Sequence, residues 1–161
     1  MTIETLAWML PLIFIVHDFE EIILIKSWKA KNQDLFLAPT GFKPYDHFKS
    51  SEQFSIAVLE ELILFIGVSF YTVLRQNYLV WIGTFFAVTF HFIPHFLFCL
   101  RVKRFVPGAF TALLALPFSL WILFDVIQQT HYSTFELVVS CIICSFVFLS
   151  NLKMIQQMMN R

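Results

Sequence analysis

The sequence predicts an all-α protein, a polytopic membrane helix bundle of five transmembrane helices with its N-terminus outside and its C-terminus in the cytoplasm. Three observations lead there. The 161-residue chain is 58% hydrophobic and only 14% charged, with 21 phenylalanines and a mean hydropathy of +0.74, whereas a soluble domain is nearer a quarter charged. Five stretches, 6–28, 54–74, 78–100, 107–127 and 134–152, approach the ~20 mainly apolar residues that a span requires. Finally, ten of the eleven Lys and Arg residues fall on one side of a five-span arrangement, as the positive-inside rule asks of a cytoplasmic face.

Taken in order, the first span has no basic leader and no small-residue cleavage site, and polar residues interrupt its core. It does not read as a cleaved signal peptide. The connection 29–53 is the one long loop. It is broken into turns by Pro39, Gly41 and Pro44, and Phe36, Leu37, Phe42, Tyr45 and Phe48 suit the membrane interface. It reads either as a lid over a cytoplasmic opening or as an ordinary basic interfacial loop. Ser51, followed by Glu52 and Gln53, marks the start of the second helix. Trp8, Trp28, Tyr78, Trp81 and Tyr132 stand near span ends, where aromatic belts sit. The cytoplasmic charges are Lys26, Lys29, Lys31, Lys43 and Lys49, then Arg101, Lys103 and Arg104, then Lys153 and Arg161, leaving Arg75 alone opposite. Nothing repeats and no linker divides the chain, so a single domain over 1–161 is expected. The bacterial inner (cytoplasmic) membrane is its expected location. A net charge of zero and the lack of a basic stripe exclude a nucleic-acid footprint. Three cysteines in apolar segments, Cys99, Cys141 and Cys144, do not make a disulfide framework.

Ionisable residues inside the spans are the informative exception, because charge at bilayer depth is costly, about 2.5–3.5 kcal/mol per group on insertion scales. His17, Glu20 and Glu21 stand at i, i+3 and i+4 and share one helix face, with Asp18 about 100° away. The second helix carries Glu60 and Glu61, and the third carries His91 and His95 at i, i+4 around Pro94. At 1.5 Å per residue, His17 lies roughly 16 Å, Glu20/Glu21 roughly 11 Å, Glu60/Glu61 about 10 Å and His91/His95 about 13 and 8 Å from the cytoplasmic ends of their helices. Three helices of alternating direction thus bring these groups into one layer. Histidine and carboxylate at this spacing is how helical bundles hold metal ions, and mixed N/O ligation suits iron, manganese or zinc. Pro94 removes the hydrogen bond to the carbonyl of Phe90, which serves a functional kink or simple packing geometry equally well. Asp125, His131 and Glu136 fall near the interface, and Cys141/Cys144 read as packing residues. Thr111 and Asn151 lie near the cytoplasmic end, within reach of the site.

His17-Asp18-Phe19-Glu20-Glu21 resembles the signature of the HXXEE-motif integral membrane proteins, and the likeness runs through most of the chain. The family's Asn-Ala-x-x-His aligns with His91-Phe92-Ile93-Pro94-His95. Its Arg-aromatic-x-Pro-Gly-x-x-Thr pattern aligns with Arg104-Phe105-Val106-Pro107-Gly108-Ala109-Phe110-Thr111. The resemblance implies that His17, Glu20, Glu21 and His95 are motif residues. His91 and Phe92 depart from it, standing where the family has Asn and Ala. It implies a fold and a site, and no established activity.

Three functions follow as expectations. The first is a membrane metalloenzyme, oxidoreductase or hydrolase, with a divalent transition metal (one ion or two) on His17, Glu20, Glu21, His91 and His95, and with Glu60 or Glu61 as ligand or general base. Its expected partners are membrane lipids and an apolar or lipid-like substrate reached from the bilayer or the cytoplasm. The second is a metal-independent intramembrane hydrolase. Glu20-Glu21 with His91-x-x-x-His95 is faintly similar to the CAAX-type endopeptidases, but the arginine that follows their Glu pair is missing. The third is a proton- or ion-coupled transporter, against which stand the apolar outer half of the bundle and the absence of an inverted repeat.

Overall fold

The computed structural model describes residues 1–46 and 50–159, so Phe48, Lys49 and Arg161 of the expectations above lie outside the described residues. Within them the chain is helical and without strands. A short α1 (Ile3–Ala7) runs through Trp8 into α2 (Met9–Lys31), and a one-turn α3 (Gln33–Leu37) follows. Four long helices complete the chain: α4 (Ser51–Arg75), α5 (Leu79–Val102), α6 (Ala109–Gln129) and α7 (Thr134–Met159).

Four helices, α4 to α7, are long and apolar enough to cross a membrane, not the five expected. The first expected span, α2, has the length, since 23 residues extend about 34 Å. Its middle, however, holds Asp18, Glu20, Glu21 and Lys26, too much charge for an apolar window. The burial pattern shows how the helix tolerates them. His17, Asp18 and Glu21 are buried against the other helices, whereas Leu12, Val16, Phe19 and Ile23 are exposed. The polar face turns inward and the apolar face outward, the reverse of a soluble surface helix.

The helix boundaries follow from local chemistry. Ser50 caps α4, its hydroxyl accepting from the amide of Gln53 at 3.2 Å, one residue before the expected Ser51. Gln76 and Lys103 close α4 and α5 in the left-handed region, a usual way to end a helix. Ser133 and Glu136 form a reciprocal capping box at the start of α7 (2.8 and 3.3 Å), which gives Glu136 a structural role at that end.

α2 packs along α4 and α6, and α5 packs along α6 and α7. Asn151 of α7 closes the ring against α4 by donating to Glu60 at 3.0 Å and to Glu61 at 3.1 Å. One end of the interior is dry, filled by Leu6, Leu10, Trp81, Ile82 and Phe85, with Trp81 and Phe85 stacked 4.7 Å apart. The Ala7 carbonyl there accepts from both Ser69 and Trp81, each at 2.8 Å. α5 and α7 approach closely at Gly83, where a Cβ would meet the Ser140 hydroxyl at 2.5 Å and the Cys144 sulfur at 2.8 Å. Small residues at such a contact let backbones approach inside a membrane. Cys99, Cys141 and Cys144 are free thiols.

Candidate metal centre

The other end of the interior is polar, and α2 and α5 position its core. His17 sits one helical turn before Glu21, and His91 sits one turn before His95, so each helix presents two groups along one line. The Nε2 atoms of the three histidines converge. His17 lies 3.2 Å from His95, His91 lies 3.4 Å from His95, and all three ligand atoms fall within 4.8 Å of one another. His17 and His95 are buried and His91 is half-buried.

Hydrogen bonding on the far side of two rings fixes which nitrogen carries the proton. His95 Nδ1 faces the carbonyl of Pro107 at 3.1 Å. A carbonyl only accepts, so Nδ1 holds the proton and the neutral ring presents a bare Nε2. His17 Nδ1 faces the Thr111 hydroxyl at 3.0 Å, while that hydroxyl donates its single proton to Glu20 Oε2 at 2.6 Å. Thr111 must therefore accept from His17 Nδ1–H, which again leaves Nε2 bare. Two lone pairs thus face each other across 3.2 Å, an arrangement that a cation between them relieves. With metal–nitrogen bonds of 2.0–2.1 Å, tetrahedral ligand nitrogens lie about 3.3–3.4 Å apart, close to the two separations from His95 Nε2. Histidines bound to metals also carry this kind of outer partner on their second nitrogen.

The two glutamates of the motif do different work. Glu20 turns to the N-terminus of α6, where its carboxylate accepts from the amides of Thr111 (2.7 Å) and Phe110 (3.4 Å) as well as from the Thr111 hydroxyl. It is a cap supplied by another helix, in the place where unpaired amides and the helix dipole favour an anion. Glu20, expected as a ligand, is not among the three residues whose ligand atoms converge, and its carboxylate anchors α6. Glu21 lies behind His95, with Oε1 3.4 Å from Nδ1 rather than beside the Nε2 cluster. Tyr45, arriving from the long loop with a left-handed backbone (φ 61°), shares its hydroxyl proton between Glu21 Oε1 at 2.8 Å and the Pro107 carbonyl at 2.7 Å. Burial and the adjacent Glu21 push the tyrosine hydroxyl well above its ordinary range, so it remains a donor.

The segment between α5 and α6 frames the site residue by residue. Arg104 forks onto Asp34 with two 2.8 Å bonds and reaches Asn32 at 3.0 Å, and it holds the Asp34 carboxyl below the usual range. The Phe105 carbonyl accepts from the Trp28 indole, and the Pro107 carbonyl orients His95. Gly108 has φ +81°, and a Cβ there would lie 2.7 Å from Glu21 Oε1 and from His95 Nδ1. Thr111 then ties His17 to Glu20.

The chain matches the model of a family described as a protein of unknown function with HXXEE motif, over residues 8–122. It belongs to the HXXEE-motif family. No curated protein and no solved structure matches it. The matched region contains every residue of the histidine cluster and of the segment that frames it.

Of the expected site residues, the structure brings His17, His91 and His95 together as a group that can hold a metal ion, and among the described residues no other such group occurs. His91 stands with the other two although it departs from the family's motif. Glu61 is buried and Glu60 half-buried, so Glu61 is the one of the pair that faces the interior. Thr111 meets His17 and Glu20, whereas Asn151 meets Glu60 and Glu61. Sequence reasoning missed Asp18 as an interior group. It is buried, its Oδ2 has no hydrogen-bond partner among the described residues, and it lines a small cavity of about 30 Å³ with Glu61 and His91. It missed Tyr45 as well, which was expected at the interface. A left-handed tyrosine in an irregular loop has no sequence signature. The free Asp18 oxygen becomes legible only once α4 is placed beside it.

Proposed function

We propose that this membrane protein is a metalloenzyme whose single divalent ion (zinc, iron or manganese) is held by Nε2 of His17, His91 and His95, and whose substrate is apolar or lipid-like. The observation that carries this reading is the pair of facing bare Nε2 atoms at 3.2 Å, each with its tautomer fixed from behind. Three histidines leave a coordination position open, as catalytic sites do. An ion there supplies a polarised water or substrate oxygen. Asp18 and Glu61 share with His91 a cavity of one-water size, and they are the carboxylates placed to hold and orient that water. This role passes from Glu60 and Glu61 to Asp18 and Glu61, because Glu60 lies further out.

The outward apolar face of α2 supports a fifth crossing with its charges turned inward. The ten-to-one distribution of Lys and Arg supports an outside N-terminus and a cytoplasmic C-terminus, and hence a site in the cytoplasmic half of a bacterial inner membrane. The dry end built from Leu6, Leu10, Trp81, Ile82 and Phe85 argues against a polar path through the bundle, and so for an enzyme over a carrier.

Elemental analysis of protein purified without chelator tests this. One equivalent of transition metal is expected, lost in His17→Ala, His91→Ala and His95→Ala and retained in Glu20→Ala. Wild-type protein free of metal, or metal kept by all three histidine variants, overturns the reading.

A further inference from the structure

The histidine cluster stands between two cavities of different character. On one side, a cavity of about 290 Å³ lies beneath the 42–45 segment, where Asp18, Glu21 and His95 share a largely apolar lining with Phe42, Phe54 and Phe98. On the other side, a groove of about 330 Å³ runs between α2 and α6. Its walls are Leu12, Val16, Leu114 and Phe118, with Ala115 as the small residue in its floor, and it ends on His17 and Thr111. Both volumes are close to the lower limit of small-molecule sites, about 300 Å³.

We infer that the α2–α6 groove is the binding site for the hydrocarbon chain of the substrate, which enters from the bilayer and places its reactive end at His17. This rests on the metalloenzyme reading and assigns the substrate class, a linear alkyl or acyl compound with one polar end. Four features of the groove argue for that occupant. Its sides carry no charged or hydrogen-bonding group until the end at His17 and Thr111, so it suits an occupant that is apolar along its length and polar at its tip. Leu12, Val16, Leu114 and Phe118 are all exposed on the outer surface of the bundle, so the groove opens sideways, where lipid chains are the solvent, and not to water. Thr111, Ala115 and Phe118 follow one line of α6, which makes the groove on the order of 10 Å long at 1.5 Å per residue. Its inner end meets the histidine cluster at His17.

The test uses full-length protein in nanodiscs loaded with Co(II), whose visible absorption reports ligands at the ion. Acetohydroxamate probes the ion alone, and octanohydroxamate carries the same head on an alkyl chain. In wild-type protein both probes change the Co(II) spectrum. Ala115→Phe, which fills the groove floor, is expected to leave acetohydroxamate affinity within about twofold and to weaken octanohydroxamate about tenfold or more, the scale of overpacking a formed site. Because both proteins sit in the same bilayer, partitioning of the longer probe cancels. Retained acetohydroxamate binding also shows that the variant is folded. Equal effects on the two probes, or none on either, overturn the groove assignment. Loss of octanohydroxamate in Leu152→Trp but not in Ala115→Phe does so too, by placing the chain beneath the loop. Absence of any Co(II) band in wild-type protein is a separate failure, which removes the metal reading and this inference with it.

Discussion

Gly108→Ala is the smallest change that strikes the whole site, and its cost can be worked from the geometry. The residue has φ +81°, a conformation that costs an L-residue with a Cβ about 1–2 kcal/mol. The new Cβ would lie 2.7 Å from Glu21 Oε1 and from His95 Cε1 and Nδ1, where ordinary contact begins at 3.4 Å. His95 or the α6 N-terminus must therefore give way by about 0.7 Å, and overpacking of this kind costs about 1–3 kcal/mol. Together the penalty is about 2–5 kcal/mol, with His95 displaced from the Pro107 carbonyl that orients it. Metal affinity is expected to fall at least as far as when an outer partner is lost, about 10–100-fold. Two other glycines separate the causes. Gly41→Ala carries the backbone strain (φ +135°) with nothing within 4 Å, and Gly67→Ala carries neither strain nor contact. Thermal unfolding in detergent, with metal competition against a chromophoric chelator, reads both effects. A Gly108→Ala protein with wild-type melting and metal affinity refutes the packing argument. A Gly41→Ala protein as impaired at the metal refutes its localisation.

Glu20→Ala removes the cap on α6, and a melting decrease equivalent to about 1–2 kcal/mol is expected with metal still bound. Stoichiometric metal loss would restore Glu20 as a ligand. Thr111→Val keeps the shape and deletes the link between Glu20 and His17, so chelator competition should show affinity lower by about 10–100-fold. An unchanged value would disprove the tautomer assignment. Tyr45→Phe should leave metal in place while amide hydrogen exchange accelerates in residues 42–46, and unaltered exchange would deny the loop its latch. Because the Tyr45 hydroxyl is held above its ordinary value, its contribution to stability is flat below about pH 10 and declines as pH rises beyond that. A decline already present at neutral pH would contradict it.

How much of this the sequence contains depends on whether the information is local. The long helices are legible because each is a run of apolar residues of membrane length, and composition reports that directly. The partial failure, four qualifying spans against five expected, comes from α2, where composition and position disagree. Asp18, Glu20 and Glu21 make its window too polar, and only the packed structure shows them turned inward. The histidines are legible through i, i+4 spacing and matching depth. The division between Glu20 and Glu21 is not, because adjacent residues on one helix differ only in azimuth. Azimuth acquires meaning once α6 and the loop are placed. For the same reason Asp18 reads as peripheral in the sequence, being referred to the His17 face when its own partner is α4.

Those azimuths explain why the motif has the form it has. Taking His17 as zero and advancing about 100° per residue, Glu20 lies at about −60°, Glu21 at about +40° and Asp18 at about +100°. In that order they meet the α6 N-terminus, then His95 and Tyr45, then the cavity beside Glu61 of α4. One turn and a fraction of α2 therefore addresses every neighbour of the site in sequence around its axis. The remaining arc holds Phe19 at about 200°, Leu12 at about 220°, Ile23 at about 240° and Val16 at about 260°, and all four are exposed. The polar arc covers about 160° and the apolar residues lie on the far side of the helix from it. A helix can then carry four ionisable groups in a row of five and still present hydrocarbon to lipid. Exchanging Phe19 with Glu20 conserves composition and hydropathy, yet it turns a carboxylate onto the lipid-facing arc and leaves the α6 amides without their anion. The exchanged protein should insert poorly and melt early, whereas a composition-only account of α2 predicts no change. Phe19 is as much a part of the motif as the residues that flank it.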